Sequence, residues 1–196
     1  IRDSDNGGAN YIELEDINKP FRGWKISFFE GGIRVPFIVS WPDEISPGLI
    51  SNSAVHHFDI FPTIVSAAKT TTSNKKELDG VNLLPYINKE NSEEPHETLF
   101  WRSGNHQSVL HKKWKYIVSK KENKSWLFDT SIDPLEKNNL IESHPKEAQK
   151  IEELLVQFNS EQKEPLFPSA FEAPIMIDKY DGQAYEEGDE YIYWSN

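Results

Sequence analysis

The stretch Glu30-Gly31-Gly32-Ile33-Arg34-Val35-Pro36 lies where a long loop meets an apolar run. Residues 1–32 are polar and rich in glycine, asparagine and aspartate, which predicts a loop, and long ordered loops in compact domains are usually functional. The run from Arg34 to Trp41 is apolar and β-branched, so a short buried strand is predicted, and Pro42 ends it. We therefore expect functional residues before this strand.

Composition restricts the classes of protein and partner. The chain has 196 residues, of which 37% are hydrophobic, 27% charged and 12% aromatic, a balance typical of a folded globular protein. A net charge of -11 disfavours nucleic acid and anionic membranes as partners. The absence of cysteine excludes disulfides, thiolate zinc sites and a cysteine nucleophile in these residues. No apolar run approaches the roughly 18 residues of a membrane span.

Helical spacing and turn residues predict how the rest of the chain is organised. Residues 55–68 predict a helix that starts near Asp59, with Pro62 in its first turn and Asp59 as its cap. A charged linker at residues 88–96 marks a domain boundary. Four closely spaced strands and an amphipathic helix then predict an antiparallel meander with one helix. These segments are Thr98–Trp101, Gln107–Leu110, Trp114–Val118, Trp126–Asp129 and the helix Lys146–Phe158.

Two features of the first loop suit the chemistry of an active site. Asp5 and Asn6 place carboxylate and amide oxygens on a glycine-flanked turn, which suits a hard divalent cation. The turn does not fit an EF-hand, and by its local pattern alone an ordinary turn is the commoner outcome. Lys25 follows Phe21, Arg22 and Trp24 and could present its charge to an anion, although most such lysines are solvated.

In their order along the chain, these segments resemble the sulfatase family of the alkaline phosphatase superfamily. The resemblance covers residues 4–160, about four fifths of the chain. The matching segments are Ser4–Gly7, Arg22–Lys25, Glu30–Pro36, Asp59–Thr63, Leu78–Pro85, Trp114–Ile117, Leu127–Asp129, Asp133–Pro134 and Glu136–Leu140.

This resemblance implies a reaction and the residues that perform it. Sulfatases hydrolyse sulfate esters with a formylglycine hydrate as nucleophile and one bound calcium. Asp5 and Asn6 match the metal ligands, and Lys25 matches the lysine that contacts the sulfate, a catalytic and substrate-binding role. In similar sulfatases a small C-terminal domain adds substrate contacts. Arg102 and His106, in the predicted loop between two strands, are therefore candidates for a sugar hydroxyl or a second anionic group; an ordinary hairpin loop is the alternative.

Several sulfatase motifs are missing from these residues. The Cys-or-Ser-x-Pro-x-Arg nucleophile motif, the upstream metal-binding aspartates and the Gly-Lys-Trp-His-type segment all normally precede the position of Asp5. The chain also opens Ile1-Arg2-Asp3, without methionine or a signal peptide. We expect the natural N-terminus to lie elsewhere, the upstream half of the enzyme to be a partner, and this chain alone to be inactive. Family habit implies a periplasmic or secreted enzyme.

The expected fold follows from the same matches. It is of the α/β class: residues 1–88 form the C-terminal part of an alkaline-phosphatase-like mixed-sheet sandwich. Residues 89–164 form a small α+β domain with an antiparallel sheet and one helix. Residues 165–196 form an acidic, aromatic tail with little periodicity that lies across a surface.

Three functions remain open from the sequence. The leading one is a sulfuric ester hydrolase that acts on a sulfated carbohydrate or a sulfated small molecule. The second is a phosphomonoester or phosphonate hydrolase of the same superfamily. The Lys25 loop favours the sulfatase over this alternative. The third is a non-catalytic binding or assembly module, which requires that the upstream half is missing in nature.

Overall fold

A computed structural model describes residues 1–72, 77–167 and 169–195. The contacts divide the chain into a first unit, Ile1–Asp5 with Phe37–Glu97, and a second unit, Asn6–Pro36 with Thr98–Asn196. The second unit thus groups the first loop with the residues after position 97. The predicted boundaries at residues 88 and 164 stay a prediction.

The strands are two residues long before residue 98 and five or six residues long after it. Two 3-10 turns, Asn10–Ile12 and His57–Asp59, accompany the strands and α-helices. In chain order these are β1 (Arg2–Asp3), α1 (Glu30–Ile33), β2 (Phe37–Ile38), α2 (Ile60–Ala67), α3 (Leu84–Ile87), β3 (Thr98–Ser103), β4 (His106–His111), β5 (Trp114–Ser119), β6 (Lys124–Asp129), α4 (Pro145–Glu161), β7 (Glu172–Met176) and β8 (Tyr191–Ser195).

The first unit contains α2 and α3 and one small sheet. Its helix α2 continues the 3-10 turn at Asp59 and has Pro62 near its start, so the helix prediction is confirmed. The buried strand predicted from Arg34 to Trp41 is wrong in extent and burial. Only Phe37 and Ile38 pair with β1, and Ile38 is 57% exposed. Pro36 and Pro42 flank these residues, and proline lacks the N–H that a longer ladder needs.

The second unit is built on the predicted four-stranded antiparallel meander, β3-β4-β5-β6. All four strands and the helix α4 are confirmed, with ends extended by one to three residues. Alternate side chains of a strand point to opposite faces, and here both faces of the sheet are covered. On one face Val109, Tyr116 and Leu127 pack against α4 through Ile151 and Leu155.

The opposite face of the sheet packs against the first loop and the C-terminal tail. Ile117, Trp126 and Phe128 form a core with the fully buried Phe29. The tail contributes Ile175, Ile177 and Ile192 to the same core.

The tail itself differs from the expectation of little regular structure. Its strands β7 and β8 pair antiparallel over five residues, Glu172↔Ser195 to Met176↔Tyr191. Ile175 and Ile192, which lie opposite each other in the pair, are both buried. The hairpin is therefore part of the core that holds the first loop.

Within the three described ranges, no helix has both the length and the apolar character that crossing a bilayer requires.

Candidate active site

The first loop contains the two predicted metal ligands. Asp5 is exposed and belongs to the first unit. In the same unit, His57 Nε2 lies 3.0 Å from the carbonyl oxygen of Ser4, the residue before Asp5. Asn6 belongs to the second unit and is half-buried, and its Nδ2 donates to the Gly7 carbonyl oxygen at 3.0 Å. This bond fixes the direction of the Asn6 amide.

The donor chemistry of this turn fits calcium, but these residues supply only part of a coordination sphere. Calcium takes six to eight oxygen ligands, and a carboxylate followed by an amide oxygen gives two kinds that it prefers. In the described ranges there is no group of three or more histidine, cysteine, aspartate or glutamate side chains that could hold a metal. Asp5 and Asn6 therefore remain predicted ligands.

Close backbone contacts pack this turn against the Glu30-Gly31-Gly32 segment. The Gly7 N–H donates to the Gly32 carbonyl oxygen at 2.9 Å. A Cβ at Gly7 would lie 1.7 Å from the Gly31 carbonyl oxygen, and one at Gly31 would lie 2.3 Å from that of Gly23. Glycine is required at these positions because the backbones approach too closely for any side chain.

Asn18, which no motif in the sequence marks, joins the Gly7-Gly8 turn to the Arg22–Lys25 segment. Its Oδ1 accepts from the Gly8 N–H at 2.6 Å, and its Nδ2 donates to the carbonyl oxygens of Gly8 at 2.9 Å and Gly23 at 3.1 Å. The only sequence signal is an asparagine in a polar loop, and many asparagines share it. The structure thus brings the Gly7-Gly8 turn and the Arg22–Lys25 segment together.

Lys25 lies in a tight turn with unusual backbone geometry. The Trp24 N–H donates to Ser27 Oγ at 3.1 Å, and Ser27 Oγ donates to the Trp24 carbonyl oxygen at 2.8 Å. The Lys25 N–H donates to the Gly8 carbonyl oxygen at 2.9 Å. Ile26 has a φ of 87°, a value that β-branched residues rarely adopt. Such strain persists only where the surrounding contacts impose the conformation.

The Lys25 side chain is half-buried, and its ammonium has no ion pair or hydrogen bond within residues 1–72, 77–167 and 169–195. Other lysines of the second unit are paired, such as Lys113 with Asp129 at 2.7 Å and Lys121 with Glu172 at 2.5 Å. A partly desolvated cation with no carboxylate beside it can attract an anionic ligand.

His106 occupies a different environment from the open loop that the sequence predicted. It is the first residue of β4, is only 2% exposed, and stacks on Phe28 with ring centroids 4.8 Å apart. Its Nε2 accepts from the Phe28 N–H at 3.2 Å. Burial and, to a lesser extent, the Lys115 cation lower the pKa of His106 to about 3, so the ring is neutral. A buried, stacked ring cannot reach a sugar without a rearrangement.

Arg102 is exposed but does not lie in the loop between two strands that the sequence predicted. It lies on β3, and its guanidinium donates to the Lys163 carbonyl oxygen at 3.0 Å. A weaker contact joins it to Asn159 Oδ1 at 3.5 Å. The structure gives it no contact with Lys25.

A buried group of charges, the Lys115 triad (Lys115, Glu30 and Glu136), anchors the start of α1. Lys115 Nζ lies 2.6 Å from Glu30 Oε1 and 2.7 Å from Glu136 Oε1, and neither Lys115 nor Glu136 is exposed. Glu136 Oε2 also accepts from the Glu30 N–H at 2.6 Å. Arg34 pairs with Glu30 Oε2 at 3.3 Å.

The pKa values of the Lys115 triad follow from burial and from mutual attraction. Burial lowers the pKa of Lys115, but the Glu136 and Glu30 carboxylates outweigh it and raise the pKa above its usual value. Burial raises the pKa of Glu30, but Lys115 and Arg34 outweigh it, and the pKa is lowered. The pKa of Glu136 is raised, chiefly by burial. The buried Lys115 ammonium thus holds the Glu30 and Glu136 carboxylates together where the first loop enters α1.

The tail fixes the other side of the lysine loop through Arg22. Its guanidinium donates to both carboxylate oxygens of Asp178, at 2.7 and 2.6 Å, and to Glu190 at 2.5 Å. It also lies 5.0 Å from the centroid of the Phe29 ring. Charge-assisted, bidentate bonds of this kind are strong and directional. The acidic tail therefore holds the segment that leads into Lys25.

The prediction that Asp59 caps the helix α2 needs correction. Asp59 is buried and makes no side-chain cap bond to α2; its carboxylate accepts from the N–H groups of His56 at 2.7 Å and Val81 at 2.9 Å. His96 donates to Asp59 at 2.8 Å and is only 9% exposed at its side chain. A buried carboxylate needs these donors. His56 caps the 3-10 turn His57–Asp59.

Comparison with known protein families gives one match that covers most of the chain. Residues 23–164 match the profile of the family described as N-sulphoglucosamine sulphohydrolase, C-terminal. The matched region includes Lys25, the Lys115 triad, Arg102 and His106. Asp5 and Asn6 precede it.

Comparison with individual proteins gives similar results. Steryl-sulfatase of Rattus norvegicus is 30% identical over 139 residues, which cover 71% of this chain and 22% of the relative. N-acetylgalactosamine-6-O-sulfatase of Bacteroides thetaiotaomicron is 26% identical over 149 residues, or 69% of this chain and 29% of that protein. The crystal structure of Ps i-CgsB in complex with k-i-k-neocarrahexaose has the same fold, with a TM-score of 0.71, 24% identity, and coverage of 84% of this chain and 37% of that one. This chain therefore spans about a quarter of the length of these curated relatives.

Proposed function

We propose, because this chain belongs to the sulfatase family, that the complete protein hydrolyses sulfate esters and that this chain supplies one side of its active site. The observation that most directly supports the proposal is the Lys25 ammonium. It is half-buried and unpaired within the described ranges, and its backbone N–H is bonded to the turn that follows Asn6.

The residues of this chain have distinct proposed roles. Lys25 binds a sulfate oxygen and stabilises the negative charge that increases there in the transition state. Asp5 and Asn6 are proposed as oxygen ligands of one calcium ion, which when bound polarises the sulfate. The nucleophile, a formylglycine hydrate, is proposed to come from an upstream segment of the enzyme. That upstream half is the partner that we propose for this chain.

We propose a sulfated carbohydrate as the substrate class. The support comes from similar proteins: one relative is named for N-acetylgalactosamine 6-O-sulfate, and one structure of the same fold is titled as a complex with k-i-k-neocarrahexaose. Arg102, whose guanidinium is on the surface of β3, is the candidate of this chain for a second anionic group. We also propose that the enzyme acts in the periplasm or outside the cell, as is the habit of the family. The matched relatives are sulfatases, which disfavours the phosphohydrolase and non-catalytic alternatives.

The metal assignment predicts a calcium-dependent release of sulfate. In the complete enzyme, Asp5→Ala should lower the release of inorganic sulfate from a sulfated oligosaccharide by at least about 100-fold, because charge stabilisation in the transition state is lost. Bound calcium, measured by elemental analysis, should fall in parallel. Asp16→Ala is the matched control, since the Asp16 side chain is 79% exposed and, among the described residues, pairs only with Lys19 on the surface. Full calcium content and normal sulfate release in Asp5→Ala would refute the assignment.

A further inference from the structure

The turn that presents Lys25 is held from two directions. On the N-terminal side, the Lys25 N–H is bonded to the Gly8 carbonyl oxygen. On the C-terminal side, the next contact with the four-stranded sheet is at Phe28, whose N–H donates to His106 Nε2 and whose ring stacks on the His106 ring at an interplanar angle of 9°. Between them, Ile26 has its unfavourable φ of 87°. The strained turn is therefore confined between two anchors.

We propose that His106 is a positioning residue for Lys25: it fixes the backbone at Phe28 and so maintains the strained Trp24–Ser27 turn that directs the lysine. This inference rests on the proposed function, because it assumes that Lys25 binds the sulfate. It replaces the direct substrate contact that the sequence suggested for His106. The ring is 2% exposed and stacked, so it acts through Phe28 and not on the substrate.

The chemistry of the His106 ring supports this role. Because Nε2 accepts the Phe28 N–H, the proton of the neutral ring lies on Nδ1. Nδ1 is buried and has no hydrogen-bond partner among the described residues. A buried donor without a partner is unfavourable, so the Nδ1 proton of His106 lowers the stability of the folded protein. A histidine that only filled space could be replaced by an apolar residue without this cost. The acceptor at Nε2 accounts for the histidine.

Two amide variants of the complete enzyme separate positioning from general packing. His106→Gln can place an oxygen near the position of Nε2 and bond the Phe28 N–H, whereas His106→Asn is too short. We expect His106→Asn to lower kcat for an aryl sulfate by about 10- to 100-fold, in the range found when a supporting group of an active site is removed, and His106→Gln to recover most of this loss. Combined with Lys25→Ala, His106→Asn should cause less than about a twofold further loss, since residues that act as a unit are not additive.

Hydrogen exchange tests the same proposal without an assay of activity. The peptide that covers residues 24–30 should exchange at least about tenfold faster in His106→Asn than in wild type or in His106→Gln. If His106→Asn does not fold, Ser27→Ala, which removes the two hydrogen bonds between Ser27 Oγ and the Trp24 backbone, should show the same non-additivity with Lys25→Ala. Unchanged exchange, or equal losses of kcat with and without Lys25, would overturn the role of His106. An inactive wild-type enzyme would instead refute the proposed function, and the exchange result would still decide the positioning role.

Discussion

Lys25→Ala in the complete enzyme is expected to lower kcat/KM for a sulfate ester by about 10²- to 10³-fold, the usual effect of removing one charge-stabilising donor. The melting temperature should change little, because the Lys25 ammonium makes no ion pair or hydrogen bond within the described part of the chain. Steady-state kinetics and thermal unfolding measure the two effects.

A matched lysine provides the control for this variant. Lys120 is exposed and, like Lys25, makes a backbone hydrogen bond, from its N–H to the Asn105 carbonyl oxygen at 2.8 Å. Lys120→Ala should therefore leave kcat/KM within about twofold of wild type, which corresponds to about 0.4 kcal/mol of transition-state free energy. Equal activity of Lys25→Ala and Lys120→Ala would remove Lys25 from the proposed site.

Lys115→Met is expected to cause the largest loss of stability. Its ammonium is the cation between the buried Glu30 and Glu136 carboxylates, and removing one partner of a buried ion pair typically costs about 3–5 kcal/mol. The triple variant Lys115→Met/Glu30→Gln/Glu136→Gln removes the uncompensated charges and should regain more than half of this loss. Denaturant unfolding of the complete enzyme measures both. A free energy of unfolding of Lys115→Met within about 1 kcal/mol of the wild-type value would contradict the account of the Lys115 triad.

The pH dependence of the stability of Lys115→Met follows from the pKa of Glu136. Burial raises the pKa of Glu136 in the folded state above the unfolded value of about 4.3, so the folded state binds the proton more tightly. The stabilising effect of this proton is present below the unfolded pKa and is lost as the pH rises through the folded pKa. Without the Lys115 cation the folded pKa rises further. The stability difference between wild type and Lys115→Met should therefore be smaller at pH 5 than at pH 8.

Much of the small sheet could be predicted because its signals are local. Strands β3 to β6 are short apolar or aromatic segments separated by a few turn residues, and each pairs with its neighbour along the chain. The tail hairpin was missed because β7 and β8 are separated by fourteen residues and β7 includes Pro174. Proline is rare in central strands, and here it lies in a two-stranded sheet.

The parts of the site that could not be predicted depend on contacts between distant residues. His106 is buried because Phe28, 78 positions earlier, stacks on it, and no local pattern around His106 encodes that contact. His96 likewise pairs with Asp59 across 37 positions. By contrast, the glycines of the first loop stand out in the sequence itself, and close backbone packing explains why only glycine is tolerated there.

The most direct test of the central claim is a comparison of an aryl sulfate and the matching aryl phosphate with the complete protein in the presence of calcium. A sulfatase in which Lys25 and calcium bind the sulfate should hydrolyse the sulfate ester with a kcat/KM at least about tenfold higher than for the phosphate, about 1.4 kcal/mol of differential transition-state binding. A preference for the phosphate ester, or no hydrolysis of either ester, would contradict the assignment of this chain to the active site of a sulfate ester hydrolase.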